Sequence, residues 1–361
     1  MNPSIAGNPS HSRLKPFVVP VFIPHRGCPH RCVFCNQKKI TASKGNRPAP
    51  RDLHKQIETF LQYRRHRHQR TQIAFYGGNF LGISRENRRR LLTAARAFIG
   101  AGEANGIRFS TRPDTIDNRT LSALQAYPVE TVEIGIQSMD ETVLQQCHRG
   151  HTAAQCEMAV QILKEHGLEV GAQMMIGLPG ESRASALFSA NRIAALKPDF
   201  ARIYPTVVLA DSLLEKWFRS GRYQPLSLES AVTRAKEVRQ VFVDAGIPVV
   251  RTGLQATPGF NRKKNIVAGP WHPAFGELVL AESYLDRAVY MLSALPESRK
   301  LGVLFRLHPR DHSAFRGQHN INISILEQRF RLASVQILED DHVDRGAFTV
   351  TLADPLCPGR Q

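Results

Sequence analysis

The amino-acid sequence predicts an α/β fold with a parallel sheet, either a (β/α) barrel or a doubly wound sheet, followed by a smaller α+β region. Three observations support this prediction. Short apolar segments alternate with helix-like segments over the first 250 residues. Glycine-rich and polar motifs (GG, RPD, QSMD and GLPGE) stand where the apolar segments end. The chain has 361 residues, a length typical of about two domains.

The first strand is predicted from Phe17 to Pro24, because this segment is apolar on both faces and is bounded by prolines. A polar loop with cysteines follows it, and then a helix from about Arg51 to Arg65. Five further strands are predicted at Gln72–Tyr76, Ile107–Thr111, Thr131–Gln137, Glu169–Ile176 and Phe200–Val208. Helices are predicted between them near Glu86–Ile99, Arg119–Ala126, Ala153–His166 and Ser185–Leu196. This alternation implies right-handed crossovers and parallel strand pairing.

A seventh strand, Pro248–Thr252, is expected after a helix at Leu228–Asp244. Beyond it the regular alternation weakens. The remaining strands are predicted at Val303–Leu307, Ser334–Leu338 and Ala347–Leu352, with helices near Leu278–Leu292 and Ile321–Phe330. We therefore expect a core domain over residues 16–255 and a small α+β domain over residues 256–361.

The charge is concentrated at the start of the chain. The whole sequence has 48 Lys+Arg and 31 Asp+Glu, a net charge of +17, and residues 1–90 alone contain 18 basic and 3 acidic residues. A basic segment of this kind indicates either a polyanionic partner or a solvated face. No apolar stretch is long enough to span a membrane, and the N-terminus lacks the apolar run of a secretory signal. We therefore expect a cytoplasmic protein without membrane association, whose cysteines stay reduced unless they bind a metal.

Cys28, Cys32 and Cys35 form a C-x3-C-x2-C motif in the loop after the first strand. Three thiolates can hold a [4Fe–4S] cluster and leave one iron open to another ligand. The alternative is a Cys3His zinc site with His25 or His30. A ferredoxin-type site needs a fourth nearby cysteine, and none lies between Cys35 and Cys147. The other three cysteines, at positions 147, 156 and 357, have spacings that suit no second cluster, so we expect ordinary thiols there.

The cysteine loop resembles that of the radical S-adenosylmethionine (radical SAM) enzymes, whose C-x3-C-x-aromatic-C pattern is matched with Phe34 as the aromatic residue. Further similar motifs, spread over roughly residues 16–255, are FYGGNF (75–80), STRPD (110–114), EIGIQSMD (133–140), HRGHT (148–152), MMIGLPGE (174–181) and RIYPTVV (202–208). Together they resemble the catalytic core of the Elongator catalytic-subunit family, which is linked to modification of wobble uridines in tRNA. The family's C-terminal acetyltransferase domain is not expected, because we find no acetyl-CoA phosphate loop after the core.

The resemblance implies a partial parallel (β/α)6-type barrel with a small α+β C-terminal domain. It also implies two cofactors, SAM and one [4Fe–4S] cluster per chain bound by Cys28, Cys32 and Cys35. In this family the reduced cluster cleaves SAM to a 5′-deoxyadenosyl radical, which abstracts hydrogen from the substrate. The implied electron source is a reductant such as a flavodoxin or ferredoxin. The oligomeric state is left open.

The resemblance further implies which residues bind SAM. Gly77 and Gly78 are expected to approach the methionine amino group through backbone carbonyls; the next family position, often Glu or Ser, is Asn79 here. Arg112 is expected to pair with the methionine carboxylate, a substrate anion or Asp114. The remaining expected contacts are Gln137 and Ser138 to the ribose hydroxyls, Arg149 to a carboxylate or phosphate, and Gly177 and Tyr204 on the adenine side.

Three functional hypotheses follow. The first is a radical SAM enzyme that modifies tRNA, supported by the family and by the basic N-terminal quarter. The second is a radical SAM enzyme that acts on a small molecule or cofactor precursor. The third is a zinc-stabilised nucleic-acid-binding protein without catalysis. Salt-dependent tRNA binding separates the first two, and metal analysis separates both from the third.

Overall fold

The structure is a computed structural model that describes residues 16–23, 27–36, 50–64, 66, 70–255, 265–295 and 302–352. The predicted ligand His25 and the thiol Cys357 lie outside these ranges. The described residues form two compact units. The larger lies within Arg13–Arg234 and Val238–Pro273, and the smaller within Ala274–Gln361 together with Ala235–Glu237.

The larger unit contains a seven-stranded sheet in which every neighbouring pair is parallel, in the order β1-β2-β3-β4-β5-β6-β8. The sheet curls into a partial barrel, so the predicted fold class is confirmed. Its strands are β1 (Phe17–Phe22), β2 (Thr71–Tyr76), β3 (Gly106–Thr111), β4 (Val129–Gln137), β5 (Glu169–Ile176), β6 (Phe200–Pro205) and β8 (Val249–Thr252). Its helices are α1 (Pro50–Leu61), α2 (Arg85–Gly100), α3 (Asn118–Ser122), α4 (Glu141–Gln146), α5 (Ala153–Glu165), α6 (Arg183–Ala195), α7 (Leu213–Arg219) and α8 (Leu228–Asp244).

Local sequence signals fix where the crossover helices begin. Thr152 caps α5 in a reciprocal capping box with Gln155, and Ser182 caps α6 in the same way with Ser185. Apolar side chains of the strands, such as that of Ile134, are fully buried in the core. Burial of these β-branched residues stabilises the sheet by removing apolar area from water.

The structure differs from the sequence prediction after the sixth strand. The segment predicted as one strand divides at Pro205, which has no amide hydrogen with which to continue the ladder. Beyond it, β7 (Val208–Leu209) pairs with β9 (Ile266–Ala268) in a separate two-stranded antiparallel sheet.

The short helices α4 and α7 were not predicted, because neither reaches two full turns and so neither shows a helical hydrophobic period.

The smaller unit contains a three-stranded sheet in which β10 (Val303–Leu307) lies between parallel β11 (Val335–Glu339) and antiparallel β12 (Phe348–Leu352). Its helices are α9 (Phe275–Ser293), α10 (His312–Arg316) and α11 (Ile321–Phe330). Aromatic side chains of its core contact one another, among them Phe305, Phe315 and Phe348. No helix in the described ranges of either unit combines the length and apolar character that a membrane span requires.

The parallel sheet determines where the functional residues meet. Since all seven strands run in the same direction, their carboxyl ends lie along one edge, and so the loops that follow them are neighbours. The cysteine loop follows β1, the double glycine follows β2 and the TRPD motif follows β3. The remaining motifs follow β4, β5 and β6 along the same edge.

Candidate cluster and cofactor site

The cysteine loop, residues 27–36, is anchored at its middle and at its end. Val33 is fully buried; its backbone amide donates to the carbonyl of Cys147 (3.1 Å), and its carbonyl accepts from the amide of Leu214 (2.8 Å). Asn36 donates through Nδ2 to the carbonyl of Ala210 (2.6 Å). The loop backbone is therefore held against α7 and the end of α4, and its three thiols stay at or near the surface, with Cys28 exposed and the other two half-buried.

The start of the same loop is fixed by a close approach of two backbones. Gly27 has φ +78°, and a Cβ atom on it would lie 2.2 Å from the carbonyl oxygen of Asn79. A Cβ on Gly82 would in turn lie 2.1 Å from the carbonyl oxygen of Gly27. Only glycine fits at these two positions, and so the cysteine loop packs directly on the loop that follows β2.

Asn79 joins three loops of the site. Its side chain is fully buried, and Nδ2 donates to the carbonyl of Gly27 (2.7 Å). Its Oδ1 accepts from the hydroxyls of Thr111 (2.6 Å) and Thr115 (3.0 Å) and from the backbone amide of Arg112 (3.1 Å). The sequence reasoning treated Asn79 only as a tolerated departure from the family pattern. The structure gives it a positioning role that its partners, distant in sequence, did not reveal.

Two buried arginines meet at Cys32. Nη1 of Arg149 lies 3.1 Å from the Cys32 sulfur, and Nη1 of Arg112 lies 4.0 Å from it. Arg112 also pairs with Asp114 through Nε (2.8 Å) and Nη2 (3.1 Å), and it donates to the carbonyl of Arg149. The pairing of Arg112 with Asp114 that the sequence left open is thus present. It occupies the edge of the guanidinium that a carboxylate ligand would use.

The electrostatic balance around Cys28 and Cys32 is positive. The protein atoms packed beside the Cys28 thiol partly desolvate it and so raise its pKa, although the residue is exposed; the neighbouring Cys32 also raises this pKa, while Arg112 and Arg149 act in the opposite direction. The two guanidinium groups, each about 5% exposed or less, have the carboxylate of Asp114 as the one acidic partner among their hydrogen bonds described here. Buried charge is costly unless it is compensated. The site is therefore suited to a thiolate-bound group that carries negative charge.

The end of β4 is strained. Gln137 has φ +71°, a left-handed conformation that is rare for residues other than glycine, and the strand register shifts between Gly135 and Gln137. The side-chain Oε1 of Gln137 is buried without a hydrogen-bond partner. Ser138, by contrast, shares its hydroxyl with Ser189 (3.1 Å) and accepts from the amide of Asp140 (3.1 Å). Of the two residues expected to contact ribose, Gln137 is the one with free hydrogen-bonding capacity.

The two glycine motifs, after β2 and after β5, differ in backbone conformation and in the hydrogen bonds that hold them. Gly77 has φ +87°, a left-handed conformation that favours glycine, whereas Gly78 does not have a positive φ. Gly177, with φ +73°, donates its amide to Glu181 (2.7 Å) and accepts the hydroxyl of Tyr223 (2.6 Å) on its carbonyl. Burial raises the pKa of Glu181 to about 7, although hydrogen bonds from the Gly177 and Leu178 amides and the nearby Arg234 oppose this. Sequence reasoning assigned no role to Glu181 or Tyr223.

A polar network fills the interior of the barrel below these loops. Glu133 is fully buried and accepts from Tyr76 (2.7 Å), Gln173 (2.8 Å) and Arg108 (3.2 Å). Arg202 also pairs with Glu133 (2.9 Å) and approaches the hydroxyl of Tyr204 (3.5 Å). The half-buried Tyr204 therefore belongs to this network. The signal in the sequence was the polar residues at alternate positions of β3, β5 and β6, because such residues face the inside of a barrel.

The donor groups near the cysteine loop bear on both metal hypotheses, the iron–sulfur cluster and the zinc site. In the described ranges no three His, Cys, Asp or Glu side chains already stand together as a metal site. The ring of His30 lies over Gly150, where a Cβ would be 2.4 Å away, and it lines a cavity of about 620 Å³ with His148 and His151. Three thiols, two buried arginines and the unpartnered Oε1 of Gln137 fit a thiolate-bound iron–sulfur cluster with a polar ligand beside it.

Comparison with protein families agrees with this chemistry. The family model of the radical SAM superfamily matches residues 22–191, and that of the radical SAM C-terminal domain matches residues 198–287. The two ranges together span well over half of the chain. The chain belongs to the radical SAM superfamily and is a radical SAM enzyme. Membership implies a [4Fe–4S] cluster and SAM as cofactors.

Within the superfamily the chain is similar to Elongator proteins. It is 27% identical over 288 residues to human Elongator complex protein 3, covering 64% of this chain and 52% of the human protein. It is 32% identical over 123 residues to the tRNA uridine(34) acetyltransferase of Dehalococcoides mccartyi, covering 33% of this chain and 27% of that protein. An uncharacterised protein of Methanocaldococcus jannaschii is 28% identical over 222 residues, covering 59% of this chain and 67% of that protein. The chain thus spans about half the length of the human relative.

A solved structure shows the same fold. The archaeal Elp3 of Methanocaldococcus infernus, determined with an N-terminal deletion, aligns with a TM-score of 0.58 over 76% of this chain and 63% of that chain. The sequence identity is 22%, so the likeness concerns the fold.

Proposed function

We propose that this radical SAM enzyme modifies tRNA and holds a single [4Fe–4S] cluster on Cys28, Cys32 and Cys35. The observation that carries the cluster assignment is the ten-residue loop with three thiols, beside which two buried arginines converge on Cys32. When bound there, the cluster supplies the electron that cleaves SAM to methionine and a 5′-deoxyadenosyl radical.

The chain's own residues have distinct tasks in this proposal. Asn79 fixes the cysteine loop to the ends of β2 and β3. Gly77 presents its backbone to the methionine moiety, and Gln137 offers its unpartnered Oε1 to a ribose hydroxyl. Gly177, held from both sides by Glu181 and Tyr223, presents the backbone of its loop to the adenine.

Two observations support tRNA as the substrate. Relatives with this core are named for Elongator and for tRNA uridine(34) acetylation. The first 90 residues carry 18 basic and 3 acidic residues, and Arg85 and Arg89 of α2 are exposed there. Arginines attract the phosphate backbone without reading sequence. Arg88 is not part of this surface, because its guanidinium donates to the carbonyl of Leu81.

The cofactor part is tested by anaerobic purification with iron and sulfide analysis, followed by an assay for 5′-deoxyadenosine. Each of Cys28→Ala, Cys32→Ala and Cys35→Ala should abolish both cluster loading and SAM cleavage. The matched control is Cys156→Ala, which removes a buried thiol of α5 outside the loop. A loop variant that still cleaves SAM would contradict the cluster assignment.

The substrate part is tested by tRNA binding as a function of salt. Wild-type protein should bind with an affinity that falls steeply as salt rises, and Arg85→Ala/Arg89→Ala should lower the slope of log K against log [salt] by about one per lost phosphate contact. Arg219→Ala, an exposed arginine outside the basic segment, is the control. Salt-independent or absent binding by wild type, with SAM cleavage intact, would favour the small-molecule substrate.

A further inference from the structure

The turn that carries Arg149 is built to direct this side chain inward. Arg149 lies between two residues with left-handed backbone conformation, His148 (φ +53°) and Gly150 (φ +68°). Its amide donates to the carbonyl of Leu144 (3.0 Å), and its carbonyl accepts from the guanidinium of Arg112. The side chain that results is 5% exposed. Its backbone and its orientation are therefore fixed before any cofactor binds.

The guanidinium of Arg149 contacts both a backbone carbonyl and the sulfur of Cys32. Nη2 donates to the carbonyl of Gly135, Nη1 lies 3.1 Å from the Cys32 sulfur, and Nε is buried without a partner. Each terminal nitrogen has one contact described in the structure, and the contact of Nη1 is the sulfur of a proposed cluster ligand. Arg149 therefore has a direct hydrogen-bond contact with the Cys32 sulfur in the cofactor-free protein.

Resting on the proposed function, we propose that Arg149 is a positioning residue which raises the reduction potential of the cluster by donating a charged hydrogen bond to the Cys32 thiolate. Reduction of a [4Fe–4S] cluster adds one electron, supplied by an external reductant, and makes the thiolate-bound group more negative by one charge. A buried cation beside one ligand stabilises the reduced form more than the oxidised form. Hydrogen bonds to sulfur and local charge are known determinants of cluster potentials.

Arg112 supports this arrangement without duplicating it. Its charge is largely balanced by Asp114, and its Nη1 is farther from the sulfur, at 4.0 Å. Its main contact to the neighbouring turn is the hydrogen bond to the Arg149 carbonyl. Arg149 is therefore the residue whose replacement should alter the potential with the least disturbance of the fold.

The test is a redox titration of the reconstituted cluster followed by electron paramagnetic resonance, in the absence of SAM. The proteins compared are wild type, Arg149→Lys, Arg149→Gln and the exposed control Arg219→Gln. Loss of the charged hydrogen bond in Arg149→Gln should weaken electron uptake about tenfold, equivalent to a midpoint 59 mV more negative for a one-electron couple. Arg149→Lys keeps the positive charge but lacks the planar guanidinium with its several donors. Its midpoint reduction potential should therefore lie between those of wild type and Arg149→Gln.

The outcomes separate the inference from the proposed function. Iron and sulfide unchanged in the variants, with the midpoints in the expected order, would support the tuning role. Equal midpoints at full loading would overturn it, and so would loss of the cluster from both Arg149 variants, which would assign Arg149 a structural role. If wild type binds zinc in place of iron, the proposed function itself fails, whatever the variants show.

Discussion

Asn79→Leu is the substitution that most directly probes how the site is assembled. Leucine has a similar size but removes the donor to Gly27 and the acceptor for the Arg112 amide. Thr115 keeps the Arg112 carbonyl as a partner (2.9 Å) and lies 3.1 Å from Thr111, so both hydroxyls can remain hydrogen-bonded. Two backbone groups are left unsatisfied, the buried amide of Arg112 and the half-buried carbonyl of Gly27, each at a cost of about 1–3 kcal/mol.

We therefore expect Asn79→Leu to lower the free energy of unfolding by about 3–4 kcal/mol. The measurement is urea denaturation followed by circular dichroism, with iron content after reconstitution determined in parallel. Asn191→Leu, on the exposed face of α6, is the matched control and should change stability by less than about 0.5 kcal/mol. A loss below about 1 kcal/mol in Asn79→Leu, with normal iron loading, would refute the idea that Asn79 holds the cysteine loop in place.

Three further predictions follow from the described geometry. Burial raises the pKa of Glu181 to about 7, so the folded state keeps a proton that the unfolded state releases near pH 4.5. The free energy of unfolding should therefore fall by about 2–3 kcal/mol as the pH rises from 4.5 to 7. Glu181→Gln should flatten this dependence of stability on pH. Equal pH profiles of wild type and Glu181→Gln in denaturation experiments would contradict this. Gly27→Ala should lower the free energy of unfolding by at least about 3 kcal/mol, because its Cβ would collide with the Asn79 carbonyl. The control is Gly102→Ala, which has a similar φ of +74° but open space around it, and it should lower the free energy of unfolding by about 1 kcal/mol. Similar losses in the two would show that the clash is relieved. Gln137→Gly should weaken SAM binding measured by equilibrium dialysis, because it removes the Oε1 that has no partner within the protein; unchanged SAM binding would contradict a ribose contact at this position.

The sequence was sufficient for the features that depend on local pattern. The buried strands and the longer crossover helices are visible as alternating apolar segments, and the parallel order of the sheet follows from that alternation. The cysteine spacing alone placed the three proposed metal ligands on one loop. The short helices α4 and α7 were missed, although Asp140 and Ser212 cap them and were available as signals.

The contacts that shape the site could not be obtained in this way. Arg149 and Cys32 are 117 positions apart, and Asn79 and Gly27 are 52 apart. Which residues meet across the carboxyl edge depends on the exact register of the strands and the turns that follow them, and a single sequence specifies neither. The same reason explains why the pairing of Arg112 with Asp114 remained one of several options until the structure was available.

In the proposed function, the three-cysteine loop holds a cluster that drives cleavage of SAM. The most direct measurement is metal and sulfide analysis of anaerobically purified wild-type protein and Cys32→Ala, each then reduced and assayed for 5′-deoxyadenosine. We expect about four iron and four sulfide per wild-type chain and formation of 5′-deoxyadenosine; Cys32→Ala should lose the cluster and the activity. About one zinc per chain and no SAM cleavage by the wild type would contradict it.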